Sequence, residues 1–461
     1  MSLSNPYGFT EKRIKAEIKS LIPNKDQFYS ANNSKCFDSK KECMVEYKIK
    51  STYQSALCGT AFDYLARFCI ARIAEYNREE SLHDLVAERF IKSTFDLYTI
   101  EVDEKTKERF KHKNIHFSLP NGIVCGEIRS YSYLSKICDA PKEELQKLIS
   151  KDLIKIRHVP NSKNVLDDLK NQYNRLLEPI RQYIKGDFVD DEILIDISIV
   201  LAKMDQMRRS GWGAILVNEI FDYDTENLCV KDELKRMLVS FRKVFLPIVT
   251  KDSIVVYNPH FGIGSRMVGG ADADVYIDGV LYDFKTTIKN GWSSADVTQI
   301  IAYYLLDIIA KKCNDKRNQL NGYPVDKIAL YKVRYEEITY FDVKCISKEA
   351  IENTVKAICH TYLVYNMSSL IFWSKDDEII KKYNIPLSKR KISDFCTVRA
   401  KEELDWYISQ EHELAGILKQ RKEKIEQSQM ILKEHLDDVD ILKLLKELVQ
   451  ELNSYILKTK G

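Results

Sequence analysis

The stretch at residues 269–287, GGADADVYIDGVLYDFKTT, constrains the fold more than any other part of the chain. Residues 275–277 and 280–282 are β-prone, and the Asp278-Gly279 pair between them readily takes the positive φ values of a two-residue type I′ turn. A hairpin closed there pairs Ile277 with Val280, Tyr276 with Leu281 and Val275 with Tyr282, and so sets Asp274 opposite Asp283. Side chains alternate along a strand, and directly opposed residues share a face with Cβ atoms about 5 Å apart. Asp272, Asp274, Asp283 and Lys285 are therefore expected on one side. Ala273, Val275, Ile277, Val280, Tyr282 and Phe284 are expected on the other, as a core face.

Crowding carboxylates on one face costs free energy through mutual repulsion and lost hydration unless a cation neutralises them. All-oxygen ligation suits a hard ion, Mg²⁺ or Mn²⁺, which keeps some of its waters and holds substrate phosphate. Lys285 is placed to orient or deprotonate one such water. Asp272 is either a further metal ligand or a contact of Lys285. Asp278, at the turn, reads as a solvated charge.

A polar Ser293-Ser294 pair suited to capping a helix precedes the run DVTQIIAYYLLDIIA, in which Gln299 and Tyr303 stand four apart on one helical face. A polar side chain in so apolar a helix needs a partner, whereas Tyr303 equally suits a core position. The succession of an aspartate, then Asp-Phe-Lys on the next strand, then Gln-x-x-x-Tyr, resembles the PD-(D/E)XK nuclease superfamily in its RecB-like branch. That branch often carries a histidine four residues after a glycine on an early helix. In SALCGTAFDYLARF the glycine is Gly59 and the fourth residue after it is Asp63, a hard oxygen ligand in place of the imidazole. The resemblance covers the helix near 57–76 and roughly 255–345.

What the resemblance implies is a restriction-endonuclease-like core in which Asp274 and Asp283, with the backbone carbonyl of Phe284, hold Mg²⁺ or Mn²⁺ and Asp63 contributes to the same ion. Lys285 would position the attacking water, and Gln299 and Tyr303 would fix the scissile phosphate or Lys285. The implied activity is hydrolysis of DNA, with single strands or duplex ends as substrates, in repair, recombination or defence against foreign DNA. Arg67, which follows Gly59 and Asp63 at four-residue steps, is a candidate phosphate contact or a partner of Asp63. Arg266 and Arg334 are further candidate substrate contacts, and His260 is a residue that faces either substrate or the protein.

The 461 residues exceed one ordinary core. The expected organisation is an N-terminal arm (1–50), a first core helix (51–80), a mainly helical insertion (81–254), the nuclease core (255–345) and a helical C-terminal region (346–461). The fold class expected is α+β, a small mixed sheet flanked by helices. A short strand is expected at 122–128. The stretch YLSKICDAPKEELQKLISKDLIKI has the rhythm of two short helices. The region around 262–267, punctuated by glycine, is expected to be a loop.

Residues 400–461 carry an amphipathic pattern suited to the body or to a protein partner. The N-terminal residues lack an apolar signal core and no apolar run is long enough to span a bilayer, so a cytoplasmic protein is expected. The 11 cysteines follow neither zinc nor iron–sulfur spacing and are expected as reduced thiols. A net charge of +3 does not by itself signal nucleic-acid binding. Basic clusters at 105–113, 206–209 and 381–391 are candidate phosphate contacts. Two alternatives stay open: a catalytically silent binding or scaffolding protein on a nuclease fold, and a nuclease active only within a partner complex.

Overall fold

The computed structural model describes residues 9–373 apart from 32–34, 50, 84, 93–96, 103–121, 126–153, 159–162, 211–214, 217–220 and 222–227. The helices, in chain order, are α1 (Phe9–Ile18), α2 (Thr52–Ile73), α3 (Val86–Lys92), α4 (Lys163–Leu176), α5 (Glu178–Ile184), α6 (Asp191–Ser210), α7 (Leu228–Val244), α8 (Ile263–Met267), α9 (Ser294–Lys312) and α10 (Lys348–Trp373). The strands are β1 (Tyr29–Ser30), β2 (Leu97–Val102), β3 (Gly122–Cys125), β4 (Ile154–His158), β5 (Ile215–Leu216), β6 (Val255–Tyr257), β7 (Val275–Ile277), β8 (Val280–Lys285), β9 (Lys327–Lys332) and β10 (Glu337–Asp342).

The protein is α+β. Its main sheet has six strands in the order β1-β10-β9-β8-β7-β6, antiparallel throughout except where β8 and β9 run parallel. That parallel pair requires a crossover, and α9 supplies it. The β7–β8 hairpin has the expected register, Val275 with Tyr282, Tyr276 with Leu281 and Ile277 with Val280. Its turn takes φ of 46° at Asp278 and 88° at Gly279, both positive as type I′ demands. Asp278 also has a structural task, since its carboxylate accepts the Ile254 N–H at 2.8 Å.

Both faces of the sheet are cores. On one, Val275, Ile277, Tyr282 and Phe284 share a cluster with residues of α2, α6 and α7, and Phe62 of α2 meets Phe284 edge-on at 6.0 Å. On the other, Tyr276, Leu281, Ile328 and Leu330 pack with α1, α8, α9 and α10. The hairpin face that carries Asp283 and Lys285 is thus apolar along most of its length and polar only at its far end. Ala273 departs from the expected alternation and packs in the second cluster, because β7 begins at Val275 and the chain before it is not regular strand.

Three further differences from the sequence reading concern the periphery. The stretch 81–254 contains a four-stranded antiparallel sheet, β4-β2-β3-β5, where only one short strand was expected. The last residues of the expected helical pair at 133–156, Ile154 to Ile156, open β4 instead. The glycine-punctuated segment before the hairpin contains the short helix α8. β1, from the N-terminal arm, joins the main sheet beside β10. The basic clusters at 105–113 and 381–391 and the amphipathic stretch 400–461 lie outside the described residues. Among the described residues no helix is long and apolar enough to cross a membrane.

Candidate active site

The polar end of the hairpin is assembled from three elements. Past the last paired residues of β6 and β7, the Asn258 N–H donates to the Asp274 carbonyl at 3.1 Å and the Ala273 N–H to the Pro259 carbonyl at 3.3 Å, which fixes the backbone around Asp274. The Asp274 carboxylate accepts the backbone N–H of Phe284 on β8. Asp283, one residue before, is 2 % exposed. Lys285 Nζ lies 2.7 Å from Asp283 Oδ2 and is the charge partner of that buried carboxylate.

The third element is α9. Ser293 caps it by accepting the Asp296 N–H at 3.3 Å, and the helix aims Gln299 and Tyr303 at the hairpin. Lys285 Nζ donates to Gln299 Oε1 at 2.9 Å, and Gln299 Nε2 donates to the Tyr303 hydroxyl at 2.6 Å. Gln299 therefore reads the amine with its oxygen and the phenol with its nitrogen, so its two ends are both assigned. Tyr303 is buried at 2 % exposure, and it is both a core residue and the end of this chain of bonds.

Charge in so confined a space is unevenly held. Burial, then the nearby Asp283 carboxylate, pushes the Asp274 carboxyl up to about 7 against the opposing pull of the Phe284 N–H. Burial also raises Asp283, with the Lys285 amine opposing. For Lys285 burial works against the charged form, but Asp283 and Asp274 outweigh it and raise the amine above its usual range. Burial lifts the Tyr303 hydroxyl well above that of a free tyrosine, which keeps it neutral. Asp274 and Asp283 beside one amine are two oxygen donors of the kind that a hard divalent cation takes.

A cavity of about 820 Å³ opens against this cluster. Its wall includes Asp63 and Arg67 from α2, Asp272 and Asp274 from the hairpin, and Gln299 and Tyr303 from α9. Asp283 and Lys285 are not part of the wall; the side chain of Lys285 keeps 17 % of its surface and that of Asp283 3 %. Helix α2 comes close enough to β8 that a Cβ on Gly59 would stand 3.2 Å from Thr286 Oγ1, and this approach carries Asp63 to the cavity. Among the described residues no three His, Cys, Asp or Glu side chains gather as a metal centre; Asp63 and Asp272 share the cavity wall with Asp274.

The arginines have other tasks. Arg67 is buried and donates to the carbonyls of Glu80, Ser81 and His83 and to Asn258 Oδ1, at 2.7 to 3.0 Å, so it ties the loop after α2 to the strand end. Arg334, expected as a phosphate contact, is 1 % exposed instead; it pairs with Glu233 and donates to the Thr286 and Val45 carbonyls. The physical reason is that β9 runs through the middle of the sheet, where its terminus is closed by the N-terminal arm. Arg266 is exposed on α8 and does not line the cavity. Asn258, Tyr64 and Asp205 line the cavity without having been singled out from the sequence. The Asn258-Pro259 dipeptide was a turn signal for the first. Asp205, 3 % exposed, stands among Lys203, Gln206 and Arg208, so its neighbours gave no such signal.

Comparison with known proteins returned nothing: no family model, no curated protein and no solved structure matches the chain.

Proposed function

We propose that the chain is a metal-dependent nuclease that hydrolyses phosphodiester bonds of DNA, on a restriction-endonuclease-like core of the PD-(D/E)XK superfamily in its RecB-like branch. The observation that carries the reading is the continuous set Asp274, Asp283, Lys285, Gln299 and Tyr303. Its members come from the residue just before β7, from β8 and from α9, are joined by contacts of 2.6 to 2.9 Å from Asp283 onward, and adjoin a cavity. Asp274 and Asp283, with the Phe284 carbonyl, would hold Mg²⁺ or Mn²⁺, and Asp63 and Asp272 are the next oxygens available along the wall. When bound, such an ion stabilises charge on phosphoryl oxygens and acidifies a bound water.

The chain's own contribution follows from its hydrogen bonds. Lys285 is protonated in this arrangement, so it orients a water or holds a phosphoryl oxygen rather than acting as a base. Gln299 keeps the amine from folding back onto Asp283 alone, and Tyr303 keeps Gln299 in place. DNA as the substrate, and repair, recombination or defence against foreign DNA as the setting, rest on the family resemblance.

The rival reading, a silent binding protein on the same fold, draws on the burial of Asp283 to 2 % exposure. The test incubates the full chain with labelled single- and double-stranded DNA and RNA in Mg²⁺, Mn²⁺ or EDTA, beside Asp283→Ala and Lys285→Ala. Metal-dependent cleavage lost in both variants supports the nuclease. Binding without cleavage supports the rival, and cleavage that survives both substitutions places the activity elsewhere.

A further inference from the structure

His260 lies where the chain leaves β6 for α8, and it lines the same cavity as Asp272, Asp274 and Gln299. It forms an antiparallel bridge with Asp272, which brings the imidazole to the acidic end of the wall. Its backbone is clamped from both sides: the N–H donates to Gln319 Oε1 at 2.8 Å, and the carbonyl accepts the Gln319 N–H at 3.0 Å. The ring is fixed as well. Nδ1 accepts the Gly262 N–H at 3.0 Å. A ring nitrogen that accepts a hydrogen bond carries no proton, so the hydrogen of the neutral imidazole is on Nε2.

The donor that imposes this tautomer is itself held in an unusual way. Gly262 has φ 51° and ψ −123°, a conformation that side chains rarely allow, and a Cβ there would stand 2.5 Å from Asp315 Oδ2. The same Asp315 oxygen accepts the Ile263 N–H at 2.6 Å, which locks the turn. Of the donors at this end of the cavity, Arg67 is committed to three carbonyls and Asn258, and Gln299 to Tyr303, while the exposed Arg89 also lines the wall. The wall is otherwise rich in carboxylate, and an anionic substrate needs hydrogen-bond donors there.

Resting on the nuclease reading above, we propose that His260 is a phosphate-binding residue of the site, its Nε2–H donating to a non-bridging oxygen of the substrate phosphate. It adds a directed donor without adding a charge to the acidic wall. It is distinct from Lys285, which is outside the cavity wall and is held by Asp283 and Gln299.

Two replacements separate this role from a structural one. His260→Asn keeps an acceptor near the Nδ1 position for the Gly262 N–H but has no donor at the Nε2 position. His260→Gln reaches the Nε2 position with an amide N–H₂ but gives up the Nδ1 acceptor. The measurements are the Kd of a labelled single-stranded DNA oligonucleotide in EDTA, its single-turnover cleavage in Mg²⁺, and the thermal midpoint of each protein. The expected result is that Asn weakens binding about tenfold or more with its thermal midpoint kept, the loss of one hydrogen bond to a charged group. Gln is expected to hold affinity within about threefold although its midpoint falls. Asn matching the wild type in affinity and rate, or Gln losing as much as Asn, overturns the proposal while leaving the nuclease reading intact. A wild-type chain that neither binds nor cleaves the oligonucleotide removes both.

Discussion

Lys285 Nζ stands 2.7 Å from the Asp283 carboxylate two residues earlier on the same strand, and the pair is held beneath Asp274 rather than in the cavity itself. Residues two apart on a strand share a face, so this contact is a property of local geometry. What makes it chemically useful is that a second carboxylate and a helix amide are brought to the same place.

The pair predicts the effect of neutralising one acid. In Asp283→Asn the Asp274 carboxyl loses its close like charge and should ionise at lower pH than its value of about 7, while metal-dependent cleavage drops about 10³-fold or more. A carboxyl-carbon NMR titration of Asp274 in the two proteins checks the first part. An unchanged titration would mean that burial alone sets its acidity.

Metal binding should depend on pH in a definite sense. Asp274 has a folded value of about 7 against an ordinary 3.8, so the folded state holds the proton more tightly than the unfolded chain. The contribution of this group to stability is complete below about pH 4 and is lost as pH rises through about 7. A divalent ion competes with that proton, so Mg²⁺ affinity should rise about tenfold per pH unit below 7 and level off above it. Melting curves across this window, with and without Mg²⁺, test the relation; an Mg²⁺ stabilisation that does not vary with pH contradicts it.

The Lys285-Gln299-Tyr303 chain should behave as one unit. Gln299→Ala frees the amine and should slow cleavage about 10²-fold, the scale of a small misplacement of a catalytic group. Tyr303→Phe removes only the acceptor of Gln299 Nε2 and should cost about tenfold or less. The double variant should be no slower than Gln299→Ala, which a double-mutant cycle of single-turnover rates measures. Additive losses would show that Tyr303 acts on substrate directly.

Stability rests in part on a brace outside the cavity wall. Glu233 is fully buried, pairs with Arg334 and accepts the backbone N–H groups of Lys48 and Ile49, so one carboxylate joins α7, the end of β9 and the N-terminal arm. Glu233→Ala leaves a buried guanidinium without its partner and should cost about 3–5 kcal/mol. Urea unfolding gives that number directly, and limited proteolysis should show earlier cutting at 35–49. A loss under about 1 kcal/mol would contradict the brace.

The hairpin was legible in the sequence because its determinants are local. Asp278-Gly279 sets the turn, the turn sets the register, and the register sets which of Asp274, Asp283 and Lys285 share a face. The spacing of Gln299 and Tyr303 on α9, and the capping Ser293, were legible for the same reason. The clustering of these side chains was therefore readable from local spacing alone.

Tertiary structure alone decided the rest, because burial and long-range pairing are set by elements distant in sequence. Arg334 has the sequence appearance of a phosphate contact, and only the meeting of β9 with α7 and the arm turns it into a buried brace. Ala273 left its expected face because the strand starts two residues later than alternation assumed. His260 gave no sign in the sequence of its fixed tautomer, which depends on Gly262 held by Asp315 from beyond α9. Short-range sterics and side-chain alternation act within a few residues and can be read from them. Desolvation and charge coupling depend on what the folded chain places alongside, and no stretch of sequence specifies that by itself.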